Sequence, residues 1–258
     1  MGVVRRAAGV LALWTALQWA GSCVPLLAQS PVAFESPSAA RWDSGDWLAA
    51  GVVAGASTGS YLVEERLRSL LLNNRSGVAD AMERVGWMYG SPVFTVPASL
   101  LTLGIGALAE DNDVRDTGLM MGEVLLSALL VQQPVRIAVG RARPFMNEGH
   151  LSFQPFTLGN DYASFISGHA WSAFGISNIV ARQIDRPWAR VGFYSLATIT
   201  ALSRLYSDSH WLTDVLLGSV LGYVVSTAIW KAEHDEAPAA DLSLLPPQRR
   251  WVTISISL

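Results

Sequence analysis

The sequence predicts an all-α fold, a bundle of about six helices, on three observations. Half of the 258 residues (51%) are apolar and only 15% charged. The apolar residues gather into six stretches of helix length, and the stretches are joined by short charged connections such as Glu110–Asp116 and Arg182–Arg190. In chain order the stretches are Trp47–Val63, Val85–Ala109, Thr117–Val135, His169–Ala181, Val191–Leu202 and Trp211–Trp230. Two of them approach the ~20 residues that cross a bilayer, and the pair flanking Arg182–Arg190 reaches that length only by borrowing polar neighbours. With ten tryptophans and a positive mean hydropathy, a membrane-embedded bundle is expected. A soluble bundle with cores rich in Ala, Gly and Leu is the alternative. Basic residues after Ala28 divide evenly between the two ends and do not orient the bundle.

The segments outside the bundle read differently. Residues 1–28 resemble an export signal: Arg5 and Arg6 precede an apolar run, and Ala28 offers a cleavage point. Acylation at Cys23, or an uncleaved first membrane helix, are the other readings. Residues 29–45 form a Ser/Pro/Ala-rich linker, residues 46–232 the helical domain, and residues 233–258 a tail. The tail ends in an alternating, strand-like pattern over Trp251–Leu258.

Several function classes are excluded by composition. Eighteen basic against 21 acidic residues leave no net positive charge to attract nucleic acid. A single cysteine excludes an internal disulfide and any cysteine-ligated zinc cluster. An anion site in this chain must therefore be local.

Three polar blocks between Arg136 and Asp214 supply such a site. In the first, Arg136 and Arg143 are seven apart, two turns along one helix face, and can converge on one anion before Pro144 ends the helix. In the second, Ser167-Gly168-His169 opens a helix, where free N–H groups and the positive end of the macrodipole favour an anion. A serine capping the helix is the plain reading of that tripeptide. In the third, His210 and Asp214 are spaced i, i+4 at the start of the last apolar helix. The carboxylate can then hold one imidazole N–H and make the other ring nitrogen a better nucleophile or base. The plain reading of Asp214 is a carboxylate complementing a helix N-terminus.

Together these blocks resemble the signature of the type 2 phosphatidic acid phosphatase (PAP2) and haloperoxidase superfamily, K-x6-R-P, P-S-G-H and S-R-x5-H-x3-D. Here they read Arg136-x6-Arg143-Pro144, Ile166-Ser167-Gly168-His169 and Ser203-Arg204-x5-His210-x3-Asp214. Arg136 replaces the family lysine in a chain whose only lysine is Lys231, so positive charge survives. Ile166 replaces the proline of the second block. The resemblance implies a metal-independent phosphatase with no cofactor. It implies His210 as the nucleophile, Asp214 orienting it, and His169 protonating the leaving oxygen. Arg136, Arg143, Arg204, Ser167 and Gly168 are implied to cradle the phosphate, and vanadate to act as a phosphate mimic.

The expected substrate is a phosphomonoester or diphosphate of a lipid, of the phosphatidate or polyprenyl diphosphate type, at a membrane of a bacterial-type cell envelope. The alternatives are a soluble or peripheral periplasmic acid phosphatase, a vanadium-dependent haloperoxidase, and a non-catalytic protein that binds or moves lipid. The loop Phe145–Phe165 is expected to shape leaving-group choice. His150 and His234 are expected to be solvated, and Glu123, in an apolar helix, to need a partner.

Overall fold

A computed structural model describes residue 55 and residues 59–234. The signal, the linker, most of Trp47–Val63 and the alternating tail lie outside the described residues. Within them the fold is all-helical: α1 Glu64–Asn73, α2 Gly77–Gly90, α3 Pro92–Leu108, α4 Asn112–Val139, α5 Gly168–Ile184, α6 Pro187–Tyr206 and α7 Leu212–His234. Two short 3-10 turns, Pro144–Met146 and Asn160–Tyr162, sit in the α4–α5 loop.

Two predicted elements are corrected. The stretch Val85–Ala109 is two helices, bent by 49° at a break between Gly90 and Pro92. Pro92 cannot donate its backbone nitrogen, and Ser91 caps α3 by accepting from Val93 N at 3.1 Å. The helix bearing Arg136 ends earlier than Pro144: Gly140 takes φ 58° as its left-handed cap. A side chain there would meet Gln154 O, so the chain must turn away at that residue.

The packing partners are α5 with α7, α3 with α4, and α2 and α5 with α6. Small residues let α5 and α7 approach closely: a Cβ on Gly218 would fall 2.4 Å from Ser167 O, and one on Gly222 2.2 Å from Trp171 O. Met120, Met121, Val124, Trp171, Ile176 and Ile179 fill the core between α4 and α5. The outer faces are also apolar, with Leu100, Leu101 and Ile105 on α3 and Leu126, Leu129 and Leu130 on α4 all exposed. Helices α4 and α7 are long and apolar enough to cross a membrane, and the bent pair α2–α3 qualifies as a third span when taken together. An exterior this apolar, together with these candidate spans, fits a membrane-embedded bundle.

Candidate active site

The loop after α4, the starts of α5 and α7 and the end of α6 all lie at one end of the bundle, so residues far apart in sequence meet there. A cavity of about 480 Å³ opens at this end, lined by Arg136, Arg143, Gly168, His169, Arg204 and His210. Six of the eight expected site residues thus face one void. Ser167 is fully buried beside Gly168, and Asp214 lies behind the cavity wall, fully buried.

Arg136 and Arg143 converge as expected, but not by helical spacing. Arg136 is on α4, whereas Arg143 follows the turn at Gly140 in extended conformation. Arg143 is placed by its N–H to Asp161 O at 2.8 Å and by Nη2 to Asn160 Oδ1 at 3.0 Å. Arg204, in the last turn of α6, gives Nη2 to Glu83 Oε1 at 2.9 Å.

Ser167 precedes α5 without capping it, because its side chain makes no cap hydrogen bond. Its Oγ, His169 Nε2, Arg136 Nε and Arg143 Nε are buried with no hydrogen-bond partner. Buried polar atoms normally find partners, so four orphans grouped around one cationic cavity mark a place where an anion completes the set. Gly168 is packed against the Gln132 amide, which a Cβ would strike at 2.5 Å, and Gln132 Nε2 donates to Ile166 O at 2.7 Å. That amide steadies the turn where the family proline is missing.

The expected Asp214–His210 contact is absent. His210 precedes α7 rather than lying on it, so the i, i+4 helical relation does not hold. The carbonyl of Ser164 takes the His210 Nδ1 proton instead, at 2.7 Å. A carbonyl only accepts, so Nδ1 is protonated and Nε2 keeps its lone pair. Asp214 accepts from Arg141 Nη1 at 2.7 Å, from the Ser164 hydroxyl at 2.5 Å and from Trp211 N at 2.9 Å. The last of these bonds closes the first turn of α7, as the plain helix-terminus reading of Asp214 required.

Burial, reinforced by Arg143 and Arg136, pushes His210 well below the ordinary histidine value. Burial, with Arg204, Arg136 and Arg143 nearby, lowers His169 to about 3. Both imidazoles are therefore neutral in the free protein at ordinary pH.

Sequence reading missed Arg141, Glu64, Ser164, Gln132, Asn160 and Glu83. Arg141 stands inside the first block and could have been noticed as its third arginine. Glu64 carries no local signal, since its partner Arg141 is 77 residues away. The loop Phe145–Phe165 is not among the cavity-lining residues; its Tyr162 hydroxyl bonds Glu148 and its Phe156 is exposed. It therefore acts on the site through Asn160, Asp161 and Ser164 rather than through its aromatic side chains. His150 is not merely solvated, because Nδ1 pairs with Glu65 at 3.1 Å and its ring meets Tyr61 and Trp211. His234 is exposed and stacks on Trp230. Glu123 is exposed on the outer side of α4. Among the described residues no group of three or more His, Cys, Asp or Glu side chains is placed to hold a metal ion.

A helical bundle with this cationic, imidazole-bearing end defines a class, and residues 117–237 match the PAP2 superfamily. Among individual proteins, it is 34% identical over 101 residues to a lipid A 1-phosphatase of Rhizobium johnstonii, covering 38% of this chain and 40% of that one. It is 34% identical over 64 residues to a lipid A 1-phosphatase of Porphyromonas gingivalis, covering 24% and 14%. The chain thus spans less than half the length of these curated relatives. Its fold is similar to that of a transmembrane PAP2-type phosphatidylglycerolphosphate phosphatase from Bacillus subtilis. The TM-score is 0.55 at 18% identity, over 75% of this chain and 96% of that one. LpxE of Aquifex aeolicus gives a TM-score of 0.50 at 16% identity, over 66% and 95%.

Proposed function

We propose that this protein is a phosphatase that hydrolyses a lipid phosphomonoester or diphosphate, without a metal, through a phosphohistidine. One observation carries the reading. The cavity is two-ended: the arginines and imidazoles form one end, and Pro92, Val96, Leu125, Leu126 and Leu129 form the other, between α3 and α4. A phosphate fits the first and a hydrocarbon chain the second. The lipid A 1-phosphatase relatives support the same substrate class, and the apolar exterior supports a site within a membrane of the cell envelope.

The chemistry follows from the groups present. The bound phosphate monoanion passes its proton to the neutral His169; the His210 Nε2 lone pair then attacks phosphorus while the ester P–O bond breaks, and the leaving oxygen takes that proton from His169. Water then gives a proton back to His169 as its oxygen attacks phosphorus. The P–N bond breaks, and phosphate leaves with the proton from His169, so that both histidines are neutral again. Arg136, Arg143 and Arg204, with Ser167 Oγ and the Gly168 N–H, hold the equatorial oxygens. Each guanidinium contributes on the order of 4 kcal/mol of gross attraction at 4 Å and an effective dielectric near 20, before desolvation. Three such groups supply the charge stabilisation that a metal gives elsewhere.

The test is phosphate release by purified protein in EDTA from phosphatidate, a polyprenyl diphosphate, lipid A and a soluble aryl phosphate. Release from at least one lipid is expected, and release from none of the four refutes the reading. His210→Ala is expected to abolish both turnover and trapping of a phosphohistidine; turnover that survives removes His210 from the nucleophile's role.

A further inference from the structure

Behind the cavity, a chain of buried groups connects α1 to the nucleophile. Glu64, the first residue of α1, is 2% exposed, and Arg141 is fully buried. Arg141 gives Nη2 to Glu64 Oε2 at 2.6 Å and Nη1 to Asp214 Oδ1 at 2.7 Å. It also donates from Nε and Nη2 to His150 O, at 3.1 and 2.9 Å. Glu64 Oε1 accepts the Thr213 N–H at 2.8 Å and the Thr213 hydroxyl. Asp214 Oδ2 accepts the Ser164 hydroxyl, and the Ser164 carbonyl holds the His210 Nδ1 proton.

Two carboxylates closed around one guanidinium in a dry interior are costly to desolvate, and a packed apolar trio would serve stability as well or better. What such a trio lacks is direction. The charged set fixes, with charge-assisted bonds, four segments that share no local contact in sequence: residue 64, residue 141, residue 164 and residues 213–214. We infer that Glu64, Arg141 and Ser164 are positioning residues, the first two acting through Asp214 and Ser164 to hold His210 with its Nε2 aimed at phosphorus. Glu64 lies outside the matched span 117–237. Its helix carries two more ties to the same end of the bundle, Glu65 to His150 and Arg68 to Asp208 at 2.7 Å. Helix α1 is thus a brace for the active site.

The kinetic test rests on the phosphatase reading, and a spectroscopic one does not. Glu64→Gln keeps the side chain's size and removes its charge; Ser164→Ala removes only the hydroxyl that ties residue 164 to Asp214. Functional sites are counted by binding of orthovanadate, a phosphate mimic, to full-length protein in detergent, and kcat is expressed per vanadate-binding site. Both variants are expected to lose on the order of tenfold or more in kcat per site, with KM and vanadate affinity within about threefold of wild type, because a misaimed nucleophile costs rate while the arginine cradle is intact. A purely structural role would reduce the number of sites and leave kcat per site unchanged, which overturns the inference. Independently, ¹⁵N-imidazole NMR of wild type is expected to show His210 protonated at Nδ1, and Glu64→Gln to add the Nε2-protonated tautomer. An unchanged tautomer together with unchanged kcat per site overturns the inference. Wild type that releases no phosphate sinks the phosphatase reading alone, and the tautomer shift then decides the positioning role.

Discussion

Filling the apolar end of the cavity should separate lipid from soluble substrates. Val96 on α3 lines that end and is 42% exposed, so Val96→Trp can project into the void without overpacking the core. Each methylene moved from water into an apolar lining contributes about 0.8 kcal/mol, roughly fourfold in kcat/KM when the chain stays bound in the transition state. In a series of monomeric alkyl phosphates from butyl to dodecyl, wild type should therefore gain activity with each added carbon until the cavity is full. A tryptophan that displaces about three methylenes should remove about 2.4 kcal/mol, near 60-fold, from the longest substrates. Phenyl phosphate, which occupies only the cationic end, should keep its wild-type value. The assay is initial phosphate release below the micellar concentration of each substrate. An unaltered chain-length slope in the variant, or an equal loss on phenyl phosphate, refutes the two-ended cavity as the lipid site.

Three further outcomes follow from the geometry. Since burial and three arginines lower His169 to about 3 and His210 is neutral too, the proton that expels the leaving group must arrive with the substrate. For an alkyl phosphate, kcat/KM should fall tenfold per pH unit above the ester's second ionisation, near 6, and a profile flat to pH 8 would contradict this. Asp214→Asn puts an amide against either Arg141 or the Trp211 N–H and should cost about 3 kcal/mol. That is a drop of roughly 6–12 °C in the unfolding temperature in detergent, and an unmoved midpoint would show that the buried triad contributes nothing. Gly222→Val should force α5 and α7 apart, because its Cβ would start 2.2 Å from Trp171 O, and should lose folded protein. Gly192→Ala, which meets nothing within 4 Å, should fold like wild type, and equal behaviour of the two would refute close packing at the α5–α7 seam.

Much of the site was legible because its signals are local. A glycine between Ser167 and His169, a histidine four residues before Asp214 and two arginines seven apart ahead of Pro144 need only a few neighbouring letters to be seen. The helices were legible for the same reason, since burial imposes a short period on apolar residues. The break at Gly90–Pro92 escaped because apolar content stays high across it, although Pro92 and the Ser91 cap separate the two helices. The partner of His210 escaped because it is a main-chain carbonyl, which no residue type announces.

Taken alone, the order of residues determined the class of fold and the identities of six groups that face the cavity. Tertiary structure alone decided how those groups are held. Arg143 reaches Arg136 by a left-handed turn at Gly140 instead of along a helix face, and Asp214 serves Arg141 and Ser164 instead of the imidazole. Glu64 joins the site from 77 residues before its arginine. The physical reason is range: hydrophobic periodicity and motif spacing act within a turn or two of chain, whereas a buried charge takes whichever counter-charge the packing of distant helices brings within hydrogen-bond reach.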